Sequence, residues 1–237
     1  MSLGERMKHN YEHPFRYKLP NKMPVIIRID GKSFHTLARR LGWSKPFDLS
    51  LIKNLQGMTV ELCNNIMNVQ LAYLQSDEIS FLLVDYYEHQ TQSWFDNEVQ
   101  KLCSVTAGYA SAKMSLKLGT EVVFDSRVFV IPPYEVCNYF IWRQKDWMRN
   151  SVQMLARAHF SQKQIHGLSN VELKLKIEEE TDFSWDGLMT MYQRGSCVVK
   201  DEEWNVDNNI PIFTEDRDYI NRFIPEVPDE HPIETFL

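Results

Sequence analysis

An α+β domain is what the sequence predicts, with strands and helices in the order β-α-β-β-α-β. This is the ferredoxin-like arrangement, a four-stranded antiparallel sheet carrying two helices on one face. Three observations carry the expectation. Val25-Ile26-Ile27-Arg28-Ile29 is a β-branched run ending on Asp30-Gly31, which reads as a buried strand followed by a turn. Two runs rich in Leu, Val, Ile, Tyr and Phe, at 69–74 and 79–84, flank a tight turn at Ser76-Asp77 and read as a hairpin. Apolar residues at helical spacing lie on both sides of that hairpin, each set followed by a strand pattern.

The elements follow in order. Residues before Met23 are polar, contain Pro14 and Pro20, and form an arm rather than a core element. The first strand is 25–30. The stretch 31–47 is a basic connection holding Lys32, Arg39, Arg40 and Lys45. Asp48 or Ser50 can cap the helix after it, where Leu51, Leu55, Met58, Leu62 and Ile66 repeat as a core-facing stripe. The hairpin spans 69–85. A long helix is expected over 91–118, with Phe95, Val99, Leu102, Thr106, Ala110 and Met114 inward and Gly119 as its stop. A strand at 121–131 closes the unit. Pro132-Pro133 marks a boundary, followed by a helix over 135–160 carrying Tyr139, Trp142, Trp147 and Met154, then a short helix at 171–180. The expected organisation is a core with its N-terminal arm at 1–132 and a helical or mixed part at 133–237, packed on that core as one unit. The acidic, proline-punctuated tail to Leu237 carries no clear pattern.

Composition excludes several classes. The chain has 237 residues, 43% hydrophobic and 12% aromatic, enough for a real core. No apolar run approaches the roughly 20 residues that span a bilayer, and the N-terminus has no apolar signal region, so a cytoplasmic protein is expected. Cys63, Cys103, Cys137 and Cys197 lie far apart without a C-x-x-C pair, which points to reduced thiols rather than zinc. His9 and His13 have ligand spacing on a helix, but Pro14 follows and no third ligand is evident. A net charge of -6 argues against generic nucleic-acid binding. Local basic clusters still allow a salt-sensitive RNA surface: Lys8, Arg16, Lys18 and Lys22 in the arm, and Arg143, Lys145, Arg149 and Arg157 in one helix.

The chemistry centres on two acids. A buried strand that ends on a carboxylate is costly unless the carboxylate meets a cation or hydrogen-bond donors. If the hairpin pairs beside the first strand, Asp30 and Asp77 converge at one sheet edge, where they repel unless a divalent ion lies between them. Taken singly, Asp30-Gly31 and Ser76-Asp77-Glu78 are also ordinary turn sequences.

The wording of these segments narrows the choice. Arg28-Ile29-Asp30-Gly31-Lys32-Ser33-Phe34-His35 and Gln75-Ser76-Asp77-Glu78-Ile79-Ser80-Phe81 resemble the two metal-site motifs of the tRNA-histidine guanylyltransferase family, on the guanylyltransferase-like branch. Further similar segments follow in the same order: Lys45-Pro46-Phe47-Asp48, Lys101-Leu102-Cys103-Ser104, Phe124-Asp125-Ser126-Arg127, Trp142-Arg143-Gln144 and Arg194-Gly195-Ser196. Each is weak alone, but the ordered set is specific.

The resemblance implies a polymerase-palm sheet and 3′-to-5′ nucleotide addition to a tRNA 5′ end. A 5′-monophosphate is activated with ATP, and the 3′-hydroxyl of GTP or another NTP then attacks it. Two Mg2+ ions would sit on Asp30, Asp77 and the carbonyl of Gly31, with Glu78 as a further catalytic or supporting acid. Lys32, Ser33, Phe34, His35, Lys45, Ser76, Lys101, Ser104 and Arg127 would contact nucleotide or phosphate. Arg143, Arg149, Asn150, Arg157 and Arg194 would contact RNA, and the assembly would be a homotetramer. One departure bears on substrate. Where the eukaryotic enzymes follow Trp-Arg-Gln with a His-Ile-Asn-Asn-Leu-Tyr-Asn motif, this chain has Met148, Arg149, Asn150, Ser151 and, at the last position, Met154. Losing those hydrogen-bonding groups favours templated repair of 5′-truncated tRNA over reading one histidine tRNA. Two rivals use the same features: a nucleotidyl or diguanylate cyclase on the same fold, and a catalytically silent RNA- or nucleotide-binding module. The Gly-Gly-acid-Glu-Phe hairpin of diguanylate cyclases is absent, and both aspartates are retained.

Overall fold

A computed structural model describes residues 1–88 and 90–226; the expected tail from 227 to Leu237 lies outside the described residues. In chain order the elements begin with α1 (Leu3–Met7), β1 (Val25–Gly31), α2 (Phe34–Leu41), α3 (Leu49–Asn65), β2 (Val69–Gln75) and β3 (Glu78–Leu83). They continue with α4 (Val99–Leu118), β4 (Phe124–Val130), α5 (Pro133–His159), α6 (Gln162–Ile165) and α7 (Asn170–Glu180). The chain then adds α8 (Thr190–Arg194), β5 (Ser196–Lys200), β6 (Trp204–Asp207) and α9 (Asp218–Asn221).

The sheet runs β4-β1-β3-β2-β5-β6 with every adjacent pair antiparallel. Its first four strands are the split unit read from the sequence. The expected four strands become six because β5 and β6 extend the β2 edge. Alternation along the strands then builds two cores. Ile27, Ile29 and Phe81 pack with Leu55, Met58 and Leu62 of α3 and Leu102, Ala110 and Met114 of α4. Ile26, Tyr73 and Leu82 point the other way, onto Val136 and Phe140 of α5 and onto Phe213. The C-terminal part therefore covers the second face, and its far end closes a third cluster around Leu155, Ile177 and Trp185.

Local chemistry explains where the elements begin and end. Asp48 caps α3, accepting a hydrogen bond from the Leu51 amide at 2.9 Å. The expected helix over 91–118 starts only at Val99, because Phe95, Asp96 and Asn97 hold positive φ. That kink takes Phe95 out of the expected stripe, leaving it exposed with Trp94 buried instead, while Leu102, Thr106, Ala110 and Met114 face inward as expected. The connection at 31–47 is not irregular throughout, since it holds α2, with Phe34 and Leu37 buried beneath it. The arm is helical over much of its length, and none of its first 18 residues is buried. All four cysteines are unpaired thiols, three of them buried. No described helix is long and apolar enough to cross a membrane.

Candidate active site

Three acids occupy one row at the end of the sheet. Asp30 on β1 stands opposite Glu78 on β3 and Asp125 on β4, so their side chains share the face that α5 covers. One pleat further along, the same strands place Ser80, Arg28 and Arg127 in a row. Asp77 lies in the two-residue turn of the β2–β3 hairpin, where Ser76 takes a positive φ of 50°. The Gly31 amide donates to the Asp77 carbonyl at 3.2 Å, which fastens the end of β1 to the hairpin tip. Only glycine fits there: a Cβ at residue 31 would lie 2.3 Å from the Phe34 ring and 3.0 Å from Asp77 Cβ.

The electrostatics follow from this crowding. Burial pushes the Asp77 carboxyl up to about 6, and the nearby Asp30 charge adds to the effect. The Ser76 hydroxyl, donating at 2.9 Å, opposes it. Burial also raises Asp30, as do Glu78 and Asp125, while Arg127 and Arg28 pull it back. Two carboxylates held this way are hard oxygen donors with uncompensated charge, the donor chemistry that Mg2+ takes. Among the described residues no three His, Cys, Asp or Glu side chains form a complete metal cage.

Gly31 and Asp77 border a cavity of about 880 Å³ between α2, the start of α3, the hairpin tip and the inner side of α5. Ser33, His35, Lys45 and Ser76 line it, all four exposed at the surface. Phe47 forms an aromatic end, stacked on Tyr192 at 4.7 Å and edge-on to Trp147 at 6.2 Å. Two residues of the wall, Gln75 and Trp147, hold buried polar atoms, Oε1 and Nε1, without a hydrogen-bond partner among the described residues. Gly195 closes the far wall at φ 82°, where a Cβ would lie 2.5 Å from the Leu74 carbonyl oxygen.

The predicted residues divide into those gathered here and those placed elsewhere. Phe34 borders the cavity but is itself core, 7% exposed, with its ring 5.4 Å from Phe124 and 6.2 Å from Trp43. Packing rather than a nucleobase explains its position. Lys32 is exposed beside the cavity without lining it. Lys101 and Ser104 stand apart on α4; Lys101 faces a second cleft shared with Arg16, Lys18 and Lys22. Arg127 lies on the opposite sheet face, beside Asp125 at 3.6 Å.

One expectation needs correction, and it turns on Glu78, the acid expected to be catalytic or supporting, which is held from the protein side. Arg143 clamps it with Nε at 2.7 Å and an η-nitrogen at 2.9 Å, and the Gln75 amide donates at 2.8 Å. For the same reason Arg143 is not a surface RNA contact: its side chain is 8% exposed and shared between Glu78 and Asp146. Arg149, Asn150 and Arg157 do reach the surface, and Arg157 lines the cavity mouth. Arg194 is half-buried at the end of α8. Arg39 and Trp43 in the cavity wall were missed, because α2 was read as a connection. The amphipathic spacing of Phe34, Leu37, Ala38 and Leu41 was the available signal.

Known proteins resemble this chain in both sequence and shape. The family model for tRNAHis guanylyltransferase matches residues 4–132. A bacterial tRNA(His) guanylyltransferase (Thg1)-like protein in complex with ATP superposes with a TM-score of 0.90 at 43% identity, covering 94% of this chain and 99% of that one. The same kind of bacterial protein in complex with GTP gives 0.85 at 40%, with the same coverage. The tRNA(His) guanylyltransferase of Debaryomyces hansenii is 30% identical over 140 residues, 54% of this chain and 51% of the yeast protein.

Proposed function

The chain belongs to the tRNAHis guanylyltransferase family of nucleotidyltransferases, and from that premise we propose that it adds nucleotides in the 3′-to-5′ direction to 5′-truncated tRNA. The observation that carries the proposal is the cavity beside Asp77 and Gly31, in a fold that holds ATP or GTP in bacterial relatives with 43% and 40% identity. In this reading ATP activates the RNA 5′-monophosphate and the incoming NTP supplies its 3′-hydroxyl. Lys45, Ser33, Ser76 and His35 hold the triphosphate and sugar at the cavity mouth, and Lys45 neutralises phosphate charge. Asp30, Asp77 and the Gly31 carbonyl would hold two Mg2+ ions, which lower the pKa of the attacking hydroxyl and stabilise charge on the leaving group. Glu78 and Arg143 act from behind, fixing the hairpin tip rather than touching substrate.

Templating is the finer part of the proposal. Met148 and Met154 stand where the eukaryotic motif has hydrogen-bonding side chains, so base choice falls to Watson–Crick pairing with the acceptor stem. Exposed Arg149 and Arg157 hold backbone phosphates. The assembly is a homotetramer, in which a second copy can cover the exposed arm residues Leu3, Met7, Tyr11 and Phe15.

The test offers the protein two substrates with ATP, NTPs and Mg2+: a 5′-monophosphorylated tRNA lacking its first nucleotide, and a full-length histidine tRNA lacking its extra G. Mapping of the RNA 5′ end should show the pairing nucleotide restored on the first. Strong preference for the second, with G added opposite a base that cannot pair with it, would overturn templating.

A further inference from the structure

The acidic row at the sheet end has a neighbour on its open side. Trp142 projects from α5 beside β1 and remains 54% exposed, although the residues on either side of it, Ile141 and Arg143, are buried. Its ring is the roof of a small basic cluster, with the Arg143 guanidinium 4.4 Å from the ring centroid and that of Arg28 at 5.8 Å. The Tyr139 ring meets it edge-on at 5.9 Å and is itself pinned to Ser80 by a 2.7 Å hydrogen bond. The platform is therefore fixed in place rather than free to swing.

Arg28 is only partly neutralised. Its side chain is 14% exposed, and its Nε lies 4.0 Å from Glu78, too far for a hydrogen bond, has no other partner among the described residues, and faces a carboxylate already clamped by Arg143. Arg127, its register partner on β4, is 55% exposed, and its contact to the equally exposed Asp125 is long. Arg28 and Arg127 sit two residues along their strands from Asp30 and Asp125, about 7 Å at the rise of an extended strand.

We propose that this open face receives the 5′-terminal nucleotide of the RNA, with its base stacked on Trp142, its phosphate against the exposed Arg127, and the charge of the largely buried Arg28 acting from beneath the ring. The inference rests on the nucleotidyl-transfer reading above and adds to it the seat of the RNA end. The cavity on the other side of the hairpin tip has walls on several sides and suits a free nucleotide. Trp142 does not line that cavity and its ring is 54% exposed, which suits the end of a larger ligand whose remainder is held elsewhere. Stacking on an indole is also indifferent to base identity, as a templated enzyme needs when the terminal base differs between substrates.

The experiment uses the full chain and a 5′-monophosphorylated tRNA lacking its first nucleotide, with 2-aminopurine as its new 5′-terminal base. Wild-type protein should quench the probe on binding. Trp142→Ala should abolish the quench and weaken RNA binding roughly tenfold, within the range that one base–aromatic stack contributes. Trp142→Phe should restore most of both. Arg127→Gln, a surface change that leaves the platform intact, should reduce the slope of log affinity against log salt by roughly one. Unchanged quenching in Trp142→Ala would overturn the proposal. So would weaker ATP binding by that variant with RNA affinity preserved, which would make the platform a seat for free nucleotide. Wild-type protein that quenches the probe yet adds no nucleotide would support this seat and overturn the polymerisation reading instead.

Discussion

Replacing Asp77 with asparagine should stabilise the metal-free protein at neutral pH, although it removes a residue proposed to be essential. The Asp77 carboxyl is pushed up to about 6, first by burial and then by Asp30. In the unfolded chain an aspartate titrates near 3.9. Between these values the folded state binds more protons than the unfolded state, so stability falls as pH rises from about 4 to about 6 and stays lowered above that. A gap of about two pKa units corresponds to about 3 kcal/mol, an upper bound for the charged carboxylate at pH 7. Asp77→Asn keeps the side chain's size and its acceptor for the Ser76 hydroxyl while removing the charge. The expected result in EDTA is a gain of about 1–3 kcal/mol at pH 7, and a flatter stability profile between pH 4 and 6. Urea melts from pH 4 to 8, with and without Mg2+, measure both. Mg2+ should stabilise the wild type at pH 7 and leave Asp77→Asn nearly unmoved. A variant less stable than wild type at pH 7 in EDTA, or equally stabilised by Mg2+, would refute the reasoning.

Other expectations follow from the same geometry. Asp30→Ala and Asp77→Ala should each nearly abolish nucleotide addition while circular dichroism shows a folded protein; near-normal turnover would remove either acid from the proposed metal site. Lys45→Ala should raise the KM for NTP with little change in Tm, whereas Lys101→Ala, which faces the cleft beside the arm, should raise the requirement for RNA instead. Arg143→Ala leaves Glu78 buried with only Gln75 as a close partner, so the variant should lose about 3–5 kcal/mol in denaturant melts. A loss below about 1 kcal/mol would mean that water replaces the guanidinium.

Much of the fold was legible because it rests on local periodicity. The β-branched run at Val25, the stripe from Leu51 to Ile66 and the turn at Ser76-Asp77 each carry their own signal, and together they give the β1–β3 pairing that brings Asp30 beside the hairpin. The misses are of another kind. Asp96 and Asn97 tolerate positive φ but do not demand it, and nothing local marks Phe95 for it; the Asn97 amide bonding to the Pro20 carbonyl and Asn21 holds that kink from 77 and 76 residues away in sequence. Likewise Ser196-Cys197-Val198-Val199 is too short to read as a strand by itself, and becomes one because β2 offers a free edge. Glu78 and Arg143 carried opposite expectations, an acid near metal and a base near RNA. Separated by 65 residues, they cancel each other only once the chain is folded.

On the proposed reading, the alternation of a β-strand lets two substrates approach one acid pair without colliding. Asp30 and Gly31 are consecutive, so their outward directions differ by half a turn: Asp30 joins the row with Glu78 and Asp125 on the α5 face, while Gly31 borders the cavity with Asp77. Asp30 therefore stands at the partition and Asp77 at its free edge. On the proposed reading the incoming nucleotide fills the walled side and the RNA end lies on the open side, each reaching the acids from its own direction. The Gly31–Asp77 hydrogen bond holds that partition thin, and any side chain at residue 31 would thicken it against Phe34 and Asp77. On that same reading Gly31 limits the separation of the two substrates as well as the turn, which joins the backbone geometry of one residue to the in-line approach that phosphoryl transfer requires.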